Sequence, residues 1–102
     1  MERELETDSS VQELFEAIAG LKDPAECARF FRDLCTLPEL KAMAERWEVA
    51  GMVSENIPYR EISVRTGAST ATITRIAHWV NYGEGGYRLM LERAEKREKR
   101  KR

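Results

Sequence analysis

A chain of 102 residues has room for one small domain, and none of its apolar runs nears the roughly 20 residues that cross a membrane. The net charge of −1 hides a division: ERAEKREKRKR, at positions 92–102, carries seven Lys/Arg against three Glu, which leaves ten basic and fifteen acidic residues before it. An acidic body with a basic end excludes the uniform positive field of a non-specific nucleic-acid coat, so any surface for DNA must be local.

The opening MERELETDSS is polar and lacks the apolar stretch of a secretion signal; positions 1–9 are expected to form a flexible segment. Val11, Leu14, Phe15, Ile18 and Leu21 then recur at steps of three and four, the stripe of an amphipathic helix. Ser10 and Glu13 suggest a capping box at its start, and Gly20 its end. Asp23-Pro24-Ala25-Glu26 repeats the starting signal, an N-cap followed by proline at the first helical position, and Cys27, Phe30, Phe31 and Leu34 make the next stripe. Cys27 and Cys35 are eight residues apart. On one helix that is a rise of about 12 Å, too far for a disulfide. Reduced thiols in a cytoplasmic protein are the expectation.

Thr36-Leu37-Pro38-Glu39 opens a third helix, with Leu40, Met43, Trp47 and Ala50 on one side, running to about Glu55 with Asn56 as its stop. The stripes of these first three helices are too wide and aromatic for one short chain to hide, which points to a C2 homodimer. Short elements follow: a helix from Tyr59 to about Thr66, Gly67, and a second helix from Ser69 to about Val80. Asn81 to Gly86 reads as a turn by composition. Tyr87, Met90, Leu91 and Ala94 begin a final helix that continues into a basic tail, 95–102. Nothing reads as a strand or repeats at a fixed period. The expected class is all-α, about six helices, with the domain spanning 10–94.

GASTATITRI, at 67–76, decides the function. A two-residue period would mix Ala71 and Ile73 with Arg75 on one face, whereas a helical period gathers Ile73, Ile76, Ala77 and Val80. The segment is a helix with Ser69 as N-cap. Gly67 supplies a turn that tolerates left-handed φ, Ser63 is small where two helices cross, and Ile62, Ala68, Ile73 and Ile76 can lock the angle. This is the pattern of a helix-turn-helix over 59–80, whose second helix enters the major groove of DNA. Ser and Thr sacrifice a few tenths of a kcal/mol of helix propensity each, and in return bring short hydroxyls close to phosphates and base edges. Ser69, Thr70, Ala71, Thr72 and Thr74 are the candidates nearest the duplex, with Arg75 able to reach phosphate or guanine and His78 able to contact phosphate.

LCTLPELKAMAERWEVAGMV, followed by YREISVRTGASTATITRIAHWVNYG, resembles the tryptophan-repressor superfamily, and more closely its small YerC/YecD-type members. The resemblance runs from about Leu14 to Glu92. It implies an intertwined, all-helical homodimer that represses transcription from a roughly palindromic operator; the tryptophan repressor is itself a standard example of that docking geometry. The family's corepressor pocket maps onto Arg46 in AERWEV, Arg75 in TITRI and Thr36 in LCTLPEL, a possible effector or anion pocket here. The repressor has glycine after the second arginine, leaving a slot for an indole ring. This chain has Ile76, which would fill that slot, so no cofactor is expected and tryptophan least of all.

His78 is the only histidine and has no Cys or acid at metal-ligand spacing. No nucleophile motif, glycine-rich phosphate loop or acid–base pair marks an enzyme. The alternative to a DNA-binding regulator is a helical protein-interaction module without its own operator.

Overall fold

The structure, a computed structural model, describes residues 3–101. Among these it is all helix: α1 (Arg3–Thr7), α2 (Ser9–Ala19), α3 (Pro24–Leu34), α4 (Leu37–Ser54), α5 (Tyr59–Thr66), α6 (Thr70–Tyr82) and α7 (Gly86–Lys101). The chain divides after Leu40 into two compact units, with α4 starting in the first and ending in the second. No helix among the described residues is long and apolar enough to cross a membrane.

In the first unit, the segment expected as a flexible lead carries the extra helix, α1, and α2 begins one residue before Ser10. Asp8 is the N-cap, not Ser10. Its carboxylate accepts from the Ser10 and Val11 amides at 3.0 and 3.3 Å and from the Ser10 hydroxyl at 2.6 Å. Those bonds, the hydroxyl's foremost, hold its pKa below the ordinary carboxylate value. At α3 the Asp23-Pro24 start forms as expected, with Asp23 accepting from the Glu26 amide at 2.8 Å. Thr36 and Glu39 make a reciprocal capping box for α4: the Thr36 amide donates to Glu39 Oε1 at 2.8 Å, and the Glu39 amide to Thr36 Oγ1 at 3.3 Å. No described side chain before Val49 is buried, and Phe15 and Leu34 stay 42% and 47% exposed.

The second unit holds the core. Val49 and Ala50 of α4, Ile62 of α5, Ala68 of the turn, and Ile73, Ile76 and Val80 of α6 form one cluster, edged by Met52, Val53, Ile57 and Tyr87. Ile62, Ile73 and Val49 are fully enclosed, and burying each aliphatic side chain stabilises the fold by about 1.5–3 kcal/mol. α4 stops where Asn56 takes a left-handed φ of 61°, a conformation asparagine tolerates better than most residues. Trp47, on the stripe with Leu40, Met43 and Ala50, keeps 41% of its surface exposed in the single chain.

Candidate nucleic-acid interface

The candidate helix-turn-helix is α5, a three-residue turn and α6. Gly67 closes α5 in the left-handed region, φ 80°, and its amide donates to the Ser63 carbonyl at 2.9 Å. Two side chains of α5 then hold the turn. The Ser63 hydroxyl donates to the Ala68 carbonyl at 2.7 Å; Thr66 Oγ1 donates to the Ile62 carbonyl at 2.8 Å and accepts from the Ala68 amide at 3.1 Å. Ser63 therefore does more than leave room for a crossing helix. Thr66 gives no clear signal in the sequence, because a threonine near a helix end has many possible acceptors.

Ser69 caps α6 as expected, accepting from the Thr72 amide at 3.1 Å and donating to Thr72 Oγ1 at 3.0 Å. Ile73, Ile76, Ala77 and Val80 face the core, while Ser69, Thr70, Ala71, Thr74, Arg75 and His78 are exposed and Thr72 is half-buried. The Thr74 hydroxyl donates to the Thr70 carbonyl at 2.9 Å, which leaves its oxygen free to accept. His78 lies against the rings of Trp79 and Tyr82, with centroids 5.3 and 5.4 Å away. The helix runs two residues past the expected end, through Asn81 and Tyr82, and stops where a side chain at Gly83 would collide with the Trp79 carbonyl.

Electrostatics favour an anion here. From Ile62 to Gly83 the sequence contains no carboxylate; Arg65 is paired with Glu61 at 3.4 Å, while Arg75 enters no ion pair among the described residues. The N-terminal end of α6 adds the positive end of its helix dipole. At the other end, Arg88 Nε donates to the Val80 carbonyl at 3.0 Å and its NH2 to Asn81 Oδ1 at 3.3 Å, tying α7 to the last turn of α6. That tie spans eight residues and left no local signal to read.

Of the three residues matched to an effector pocket, Thr36 is committed to its capping box, while Arg46 and Arg75 are exposed and enter no ion pair among the described residues. Ile76 is only 3% exposed and packs into the core cluster. No group of metal-ligating side chains occurs among the described residues.

The family model for Trp repressor protein matches residues 9–95. YerC of Bacillus subtilis, a protein without assigned function, is 47% identical over 88 residues, 86% of this chain and 85% of the relative. Among solved structures, a TrpR like protein from Eubacterium eligens superposes with a TM-score of 0.83 at 44% identity, covering 87% of this chain and 92% of that one. A Staphylococcus aureus protein, described provisionally as a Trp repressor, gives 0.85 at 37% identity, covering 93% and 95%.

Proposed function

This chain belongs to the Trp repressor family, and on that ground we propose that it is a sequence-specific DNA-binding regulator of transcription, a repressor that acts as a homodimer in the cytoplasm. Its α6 enters the major groove, with Thr70, Thr72 and Thr74 as the leading contacts, Ser69 and Ala71 beside them, and Arg75 and His78 towards phosphate or guanine.

What carries this reading is the two-sidedness of α6. One face is locked into the core through Ile73, Ile76 and Val80, and the other presents exposed hydroxyls, a guanidinium and no carboxylate. A rigid rod with short polar side chains can approach base edges closely, whereas long flexible side chains would have to be ordered first. The half-exposed aromatic stripes of α2 and α3 support the dimer, since a second copy would cover them.

Ile76 supports independence from tryptophan. Its side chain occupies space inside the head that glycine would leave to a flat ring, so the head is held in place by its own core. Selection of bound fragments from a random duplex pool, with and without free amino acids, tests both parts. The expected result is one enriched, roughly palindromic site with half-sites about 34 Å apart, recovered equally in both conditions. Enrichment of no sequence would leave the protein-interaction module as the better reading, and enrichment only with tryptophan would refute the role of Ile76.

A further inference from the structure

The charges of helix α7 are largely divided between two sides. Its three glutamates, Glu92, Glu95 and Glu98, line an open groove that faces the end of α4. Lys99 shares that side and pairs with Glu95 at 3.5 Å. Arg93, Lys96, Arg97 and Arg100 fall at steps of three, four and seven, which puts them together on the side away from the groove. All four are exposed and none enters an ion pair or hydrogen bond among the described residues. Four cations on about 10 Å of helix, with Glu92 at their edge one turn before Lys96, match a strand that presents a phosphate every 3.4 Å or so of duplex axis.

We propose that this stripe of α7 is a second DNA-contacting surface, one that grips the phosphate backbone and adds affinity without reading bases. It rests on the DNA-binding reading of α6 and extends it. Three observations favour a duplex over an anionic lipid surface. Beyond Met90 the stripe has no large apolar side chain to enter a bilayer. The helix is anchored by Arg88 to the end of α6, so the stripe belongs to the same compact unit as the reading face. The acidic side is turned into the groove, where it offsets least of the stripe's attraction for an approaching polyanion.

The test compares the wild-type chain with a variant combining Arg93→Gln, Lys96→Gln, Arg97→Gln and Arg100→Gln, substitutions that keep helix propensity. Binding is titrated against salt on a duplex selected by the wild type and on a random duplex. Each cation withdrawn from a phosphate flattens the plot of log K against log salt by about 0.9. A flattening of about 2–4 per chain is expected on both duplexes, with the selected sequence and the helical circular dichroism unchanged. Lys99→Gln, on the groove side, should leave the slope alone. An unchanged slope in the fourfold variant would overturn the proposal, as would a Lys99→Gln effect equal to that of a single stripe residue. Loss of binding to phosphatidylserine vesicles with DNA binding intact would overturn it in favour of a membrane. If the wild type selects no sequence, the role of α6 fails, and the slope on random duplex still decides the stripe.

Discussion

Residues 4–40 and 41–101 carry apolar stripes of the same helical kind, yet only the second set closes over them. In the first unit Val11, Leu14, Ile18, Phe30 and Phe31 reach only partial burial, and Phe15 and Leu34 remain open. In the second, Val49, Ile62 and Ile73 are sealed from solvent. The contrast lies in whether consecutive helices close on each other's stripes, since the links are of similar length. α5 and α6 are joined by three residues and meet at once, with Ile57, Met52 and Val53 drawn in around them. α2 and α3 are joined by only four residues, yet neither seals the other's stripe, and we propose that a second copy of the chain completes them.

The sharpest way to break that contrast is to deny the first unit its cover. Replacing Phe15 and Leu34 with glutamate should convert a dimer into a monomer by sedimentation. The wild-type denaturation midpoint should rise with protein concentration, and the variant's should not. A wild type that sediments as a monomer would refute the explanation. Ile62→Ala probes the other side. A cavity in a sealed core should destabilise the head by about 2–5 kcal/mol in chemical denaturation, while Phe15→Ala should cost far less in a monomeric background.

Smaller changes sharpen the picture of the turn. Gly67→Ala forces a Cβ into a φ of 80° and should cost about 1–2 kcal/mol. Ser69→Ala removes the cap of α6 and should cost about 1 kcal/mol, with DNA affinity falling further than stability alone explains. The smallest effect is titrimetric. The Thr36 amide and hydroxyl depress the pKa of Glu39, so its contribution to folding is present above the unfolded pKa and lost as the pH falls through the folded one. Acidification below about pH 4 should loosen the first turn of α4, seen as faster exchange of the Glu39 amide, and Glu39→Gln should remove that pH dependence.

Much of this was legible in the residues themselves. Asp23-Pro24, Thr36 with Glu39, Asn56 and Gly67 each carry a local signal with one structural solution, and each sits where that signal put it. The start of α2 was harder, because Asp8, Ser9 and Ser10 can all cap a helix, and the choice went to the carboxylate able to accept three bonds. The end of α6 depended on a close backbone approach at Gly83 that composition does not encode. Within the candidate interface the outward placement of Thr70, Thr74 and Arg75 follows from helical period. That Thr72 is half-buried and accepts a bond from the Ser69 hydroxyl was not read from the sequence.

The bond between Arg88 and the last turn of α6 has a mechanical meaning. The 16 residues of α7 make a strut roughly 24 Å long, held near its root by the Arg88 guanidinium and by Tyr87 against the core. A swing of about 5° at that clamp would carry the far tip some 2 Å, and a force applied at the tip would return to the root as torque on α6. Arg88 and Tyr87 together thus make the two ends of this unit levers on each other.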